Sequence, residues 1–142
     1  YAAPLDAARL ADLRARLADL SLGHGHVVVR DFTPRFPDHV LACDLSVSMA
    51  GYNTTMNLLS CGTAGLMYPF DQNREQRMRL EALARAGYLA ILEGSDLAPE
   101  RLAAIIHKAI AATPPSAVNL RLHGDRESAA IIFRLVGEEV GR

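Results

Sequence analysis

Between Asp44 and Ala86 the chain changes twice from a short apolar run to a helix-like segment, with a small polar turn at each change. That order leaves few folds open. Asp44-Leu45-Ser46-Val47-Ser48 has the length and the polar bounds of a buried strand. The turn Met49-Ala50-Gly51-Tyr52-Asn53-Thr54-Thr55 follows, then a helical stretch, then a second strand candidate, Ala64-Gly65-Leu66-Met67-Tyr68. Pro69-Phe70-Asp71-Gln72-Asn73 makes the next turn, and a charged helix runs from Arg74 to about Ala86. In an open parallel sheet, ligands sit in the crevice beyond the carboxyl ends of the strands. Both polar turns fall at such ends and form the candidate site.

The flanking sequence extends the alternation. Leu10, Leu13, Leu17 and Leu20 give residues 4–21 one apolar helical stripe, with Pro4 suited to its first turn and Gly23 to its stop. Val27-Val28-Val29 is a β-branched run that predicts a buried strand, and a short helix through Asp38, Val40 and Leu41 follows it. Tyr88-Leu89-Ala90-Ile91-Leu92 is another strand candidate. Pro99 opens a helix with Leu102, Ile105, Ile106, Ala109 and Ile110 on one face. Ala98 caps poorly there, so Glu100 is expected to act on the helix dipole instead. Pro114-Pro115 stops that helix. Asp125 is expected to cap a last helix that turns Ala129, Phe133 and Val136 inward. Helix and strand alternate throughout, which predicts an α/β domain with a parallel sheet and right-handed crossovers. The chain opens on a helix, so the expected sheet lacks a first strand.

Composition narrows the function classes. The 142 residues suffice for one core, half of them are hydrophobic, and the net charge is −1. No basic surface calls for nucleic acid, and no apolar run reaches the roughly 18 residues of a membrane span. Cys43 and Cys61 stand alone, with no CxxC pair, and read as small buried hydrophobes of a reducing, cytoplasmic compartment. Asn53-Thr54-Thr55 matches the glycosylation sequon, a coincidence in such a compartment. His24 and His26 could share a metal, but no third ligand lies near, so they read as loop histidines and no metal site is expected.

The turn at Gly51-Tyr52-Asn53-Thr54 offers a helix N-terminus, whose free N–H groups and positive dipole end suit a diphosphate. Gly51 would let the backbone come close, and Thr54 or Thr55 could add a hydroxyl. The same residues also suit a tight turn with an Asn or Thr cap. Asp71, Gln72, Asn73, Glu75 and Gln76 could present donors and acceptors to sugar hydroxyls, or simply begin a helix. Glu75 with Arg79, and Glu81 with Arg85, have the spacing of helix-surface ion pairs. Ser46, Ser48 and Ser60 lack a G-x-S-x-G context and the five His are scattered, so no general base is nominated.

Three motifs in this order and spacing carry a resemblance: Val29-Arg30-Asp31-Phe32-Thr33-Pro34, Ser48 to Thr55, and Pro69 to Gln76. From Val27 to about Ile110 the chain resembles the C-terminal, nucleotide-sugar-binding half of a GT-B glycosyltransferase. It is similar to family 28 and to the group containing the bacterial peptidoglycan GlcNAc transferase. The resemblance implies a Rossmann-like parallel sheet with helices on both faces. It implies that Phe32 and Thr33 lie against the nucleobase, usually uracil, and that Gly51, Tyr52, Asn53, Thr54 and Thr55 hold the diphosphate. Asp71, Gln72, Asn73, Glu75 and Gln76 would face the donor sugar. Many relatives carry Glu at the position of Asn57, where it binds ribose; Asn can still hydrogen-bond a ribose, without the charge.

The family has two Rossmann-like halves, and the N-terminal half binds the acceptor and usually provides the base. Residues 1–142 are therefore expected to be one donor domain, a fragment or a subunit whose partner is encoded elsewhere. The implied chemistry is inverting displacement of a UDP-sugar with no cofactor. Any peripheral membrane association would belong to the other half. A nucleotide-sugar 2-epimerase or hydrolase half, and a non-catalytic partner-binding module, share the fold and stay open.

Overall fold

The computed structural model describes residues 6–24, 27–30, 32–70, 72–112 and 124–140, which form two compact units divided between Phe36 and Pro37. The first unit is built on α1 (Ala7–His24). Asp6 precedes it as a cap: the carboxylate Oδ1 accepts the Arg9 N–H at 2.7 Å and the carbonyl accepts that of Leu10, while Pro4 lies outside the described residues. Leu10 is buried and Leu13 and Leu17 are half-buried, as the stripe predicts. Gly23 lies inside the helix instead of stopping it; a glycine weakens a helix by about 1 kcal/mol without forbidding it. Val27-Val28-Val29 is not a strand, and Val27 and Val28 are 49% and 69% exposed. β-branched preference expresses fit to a pleated, half-buried surface, and among the described residues no ladder includes this run.

The second unit contains a three-stranded parallel sheet in the order β1-β2-β3, with β1 at Leu45–Met49, β2 at Ala64–Tyr68 and β3 at Ala90–Ile91. Leu45 pairs with Ala64 and Met49 with Tyr68, while Leu66 and Met67 pair with Ala90 and Ile91. Helices α3 (Tyr52–Cys61) and α4 (Arg74–Arg85) make the two crossovers, and α2 (Phe36–Ala42) leads into β1. Crossovers of one hand between successive neighbours keep α3 and α4 on one face. There Met67 packs with Leu58 of α3, Leu80 of α4, Val40 of α2 and Ala50, with Leu89 and Ile91 beside them. Gly65 shares that face. A Cβ on it would stand 3.1 Å from Leu58 Cδ1, so its bareness lets α3 settle close to the sheet.

Strand parity turns Leu45, Ala64, Leu66 and Ala90 to the opposite face. They line a cleft of about 220 Å³ with Ala109 and Ala112, which places α5 (Pro99–Ala111) there and gives the sheet helices on both faces. The stripe of α5 is half-buried except for the exposed Ile110. No side chain caps this helix at Ala98, and Glu100 stands in its first turn, as its sequence predicts.

Both α3 and α4 end on a glycine with positive φ, Gly62 at 67° and Gly87 at 79°. Thr63 N–H reaches Leu58 O, and Tyr88 N–H reaches Leu83 O, so each end is closed by the six-to-one bond that only a left-handed residue permits. The Thr63 hydroxyl then donates 2.8 Å to Val40 O, tying the α3–β2 connection to α2.

Four other expectations change. β1 is an edge strand of the described sheet, with Val47 and Met49 exposed instead of buried. Of the run Tyr88–Leu92 only Ala90 and Ile91 form the strand. Asp125 lies within the first turn of α6 (Gly124–Val140) rather than before it. Ala129, Phe133 and Val136 are exposed, Phe133 to 78%; periodicity shows which residues share a stripe, not that another surface covers it. Asp31, His26 and Pro114-Pro115 lie outside the described residues.

Candidate functional site

The carboxyl ends of β1 and β2 lie side by side, and their ladder continues one step as Ala50 N–H donates to Tyr68 O at 2.9 Å. Ala50 is fully buried and anchors the turn from beneath. Gly51 follows in extended backbone, φ −62°, which any residue adopts. Its carbonyl accepts both the N–H and the hydroxyl of Thr55, at 3.0 and 2.8 Å. Thr55 is fully buried, its oxygen 3.7 Å from the Met67 sulfur. Both of its donors are therefore spent inside the protein, unlike the hydroxyl contact its sequence position suggests.

No side chain caps α3. The N–H groups of Tyr52, Asn53 and Thr54 have no acceptor one turn earlier and no partner among the described residues. These three amides, with the positive end of the dipole, form a concentrated donor surface at the strand end. Asn53 is exposed beside them, Thr54 is half-buried, and Asn57 stands half-buried one turn further along.

The second turn is held by its own side chains. Asn73 caps α4 through Oδ1, which accepts from Gln76 N–H at 3.0 Å. Gln76 Oε1 in turn accepts from Phe70 N–H at 3.2 Å, closing the loop from Phe70 to the helix. Each amide keeps its NH₂ end for another partner. Gln72 and Glu75 are exposed, and Asp71 lies outside the described residues.

Arg79 joins the two turns. Its guanidinium donates to Glu75 Oε1 at 3.0 Å, and its Cζ lies 5.2 Å from the centroid of the Tyr52 ring. The Glu75 pair follows from i,i+4 spacing, whereas the stack joins residues of different helices and has no local signal in the sequence. Phe32 and Thr33 belong to the first unit. Phe32 is 79% exposed, the Thr33 hydroxyl accepts from Arg35 N–H at 3.2 Å, and with Arg30 and Phe36 they line a cleft of about 360 Å³.

A third strand end carries an ionic chain that the sequence did not suggest. Arg77 meets Glu93 through two bonds of 3.0 and 2.9 Å. Glu93 and Asp96 cap a 3-10 turn at Gly94–Leu97 reciprocally, and Asp96 accepts from Arg101 Nε at 2.6 Å. The Arg77 bond holds the Glu93 carboxyl below its usual range. Asp96 is nearly out of solvent, yet the Glu93 N–H and then Arg101 outweigh desolvation and hold it low as well. The Glu-x-x-Asp spacing was the available clue.

Cys43 and Cys61 are free and half-buried, with sulfurs 3.3 Å from Val40 O and 3.9 Å from Pro37 O. Among the described residues no group of three His, Cys, Asp or Glu could hold a metal ion, and no helix is long and apolar enough to cross a membrane.

Two curated relatives are UDP-N-acetylglucosamine–N-acetylmuramyl-(pentapeptide) pyrophosphoryl-undecaprenol N-acetylglucosamine transferases of Prochlorococcus marinus, from strains NATL1A and NATL2A. Each is 31% identical over 88 residues, covering 61% of this chain and 24% of the relative. The chain spans about a quarter of the length of these relatives. No solved structure matches it. The glycosyltransferase family 28 C-terminal domain matches residues 10–119, including all three sequence motifs, and the chain belongs to that family.

Proposed function

We propose that the chain is the donor-binding half of an inverting, UDP-sugar-dependent glycosyltransferase. The observation that carries this is the uncapped start of α3, three unpartnered amides at the carboxyl end of β1, in a chain of this family. The amides of Tyr52, Asn53 and Thr54 take the diphosphate, Gly51 leaves room above them, and Thr55 fixes the turn through the Gly51 carbonyl. Gln72, Asn73, Glu75 and Gln76, with Asp71, face the hexose; Asn57 takes the ribose, and Phe32 and Thr33 the uracil.

In the reaction an acceptor hydroxyl attacks the anomeric carbon and the bond to the diphosphate oxygen breaks. Charge then grows on the leaving UDP, where fixed dipoles stabilise it more than they stabilise the ground state. The substrate is the UDP-sugar and no cofactor is required. The base and acceptor site belong to an N-terminal half or partner subunit, in a cytoplasmic setting, and membrane attachment would come from that half.

The test is titration of the 142-residue chain with UDP, followed by amide chemical shifts. Binding is expected at roughly millimolar to tens of micromolar, because one closing surface is missing. Shifts should move at Gly51 to Thr55; movement only elsewhere refutes the diphosphate assignment. The chain alone should transfer no sugar to any acceptor, and robust turnover would refute the half-enzyme assignment. Consumption of UDP-GlcNAc without acceptor would point to an epimerase or hydrolase half.

A further inference from the structure

Arg79 departs from what a helix-surface arginine ordinarily does. Such a residue lays its stem on the protein and leaves its charged head in water. Here the side chain is 18% exposed, while its ionic partner Glu75 is 85% exposed. The Nε atom is buried with no hydrogen-bond partner among the described residues. The guanidinium lies over the ring of Tyr52, the first residue of α3, and bonds Glu75 in the first turn of α4. An ion pair whose carboxylate stands in water adds little stability, and a buried N–H without an acceptor subtracts from it. Stability alone therefore does not account for the arrangement. Local rules are broken in this way where function sets the geometry.

We infer that Arg79 is a positioning residue that couples the diphosphate turn at Tyr52 to the sugar-facing turn at Glu75. The inference rests on the nucleotide-sugar assignment proposed above. A planar cation is suited to the role: one face stacks on an aromatic ring while the edge donates to a carboxylate. The stack constrains Tyr52, whose N–H is one of the three free amides. The ion pair engages one Glu75 oxygen and leaves the other for a sugar hydroxyl. Arg79 also sets one fixed positive charge against the residue that opens the diphosphate turn. Occupancy at either turn is thereby felt at the other.

The experiment is UDP titration by calorimetry of the unsubstituted chain, Arg79→Met, Arg79→Lys, Tyr52→Leu and the Tyr52→Leu/Arg79→Met double variant, with melting temperatures alongside. Arg79→Met and Tyr52→Leu should each weaken UDP about three- to tenfold, and the double variant no more than the worse single one, since both remove the same contact. Arg79→Lys should recover only part of the loss, because an ammonium keeps the charge without the planar face. Tyr52 is largely exposed, so its variant remains folded and decisive even where Arg79→Met unfolds. Losses that simply multiply in the double variant overturn the coupling. So does a lowered melting temperature with unchanged UDP affinity in both single variants. No UDP binding by the unsubstituted chain overturns the nucleotide-sugar assignment and the inference together; normal binding with indifferent variants overturns the inference alone.

Discussion

Thr55 offers the sharpest separation between a residue that touches a ligand and one that shapes the turn. Thr55→Val keeps the volume and β-branching and deletes only the hydroxyl. That hydroxyl donates 2.8 Å to Gly51 O from a fully buried residue. The Thr55 N–H still donates to the same carbonyl at 3.0 Å, so the change orphans no buried group. The lost bond costs about 0.5–1.5 kcal/mol net. A methyl packed near the Met67 sulfur offsets up to about 0.8 kcal/mol of that. The remainder, from zero to about 1.5 kcal/mol, should lower the melting temperature by no more than about 6 °C. UDP affinity should fall by less than about threefold. Had the hydroxyl met a phosphate, its loss would be about 1.5–3 kcal/mol, roughly ten- to a hundredfold in affinity. Thr54→Val is the comparison and should show the larger loss, since the Thr54 hydroxyl has no partner among the described residues. Calorimetric titration with thermal unfolding reads both effects. A tenfold loss for Thr55→Val at unchanged melting temperature would refute this account of the turn.

Asn57→Ala should weaken UDP by about 0.5–1.5 kcal/mol, and Asn57→Glu should tighten it by about 1–1.5 kcal/mol, as a charged acceptor worth about 1.5–3 kcal/mol replaces that neutral one; unchanged affinity in both variants removes Asn57 from the site. Glu93 and Asp96 have folded pKa values below their ordinary 4.5 and 3.8, so the stability they add is complete above those values and is lost as pH falls through the folded ones. Asp96→Asn keeps an acceptor for the Glu93 N–H without the charge, so its melting temperature should approach that of the parent between about pH 5 and 3. Melting curves that stay parallel across that range would show that the pair does not titrate with folding.

How much was legible before the structure depends on whether the deciding interaction is local. Strand β2 was readable because a short, mostly apolar run ends at Pro69, and the starts of α3, α4 and α5 because Gly51, Asn73 and Pro99 announce them. Those signals act within one helical turn of the residue that carries them. Val27-Val28-Val29 failed for the opposite reason: its preference is real, but a strand exists only where a ladder accepts it. The apolar stripe of α6 failed similarly, since nothing in Ile131, Ile132 or Val136 specifies what should cover them.

The site divides along the same line. The free amides of α3 follow from chain direction and helix geometry, and both were visible in the sequence. The use made of Thr55 was not, since choosing between Gly51 O and a ligand requires knowing that Met67 closes over the hydroxyl. Arg79 is the extreme case. Its spacing from Glu75 announces a surface ion pair, and that pair is present, yet what distinguishes the residue is a ring 27 positions earlier in the chain. Only the β1–β2 register brings Tyr52 and Arg79 together, by setting the starts of α3 and α4 side by side. A one-residue slip would turn Met67 away from Leu58 and Leu80 and expose the core, so burial of that core enforces the register. The same burial that stabilises the fold thus places the two polar turns next to each other.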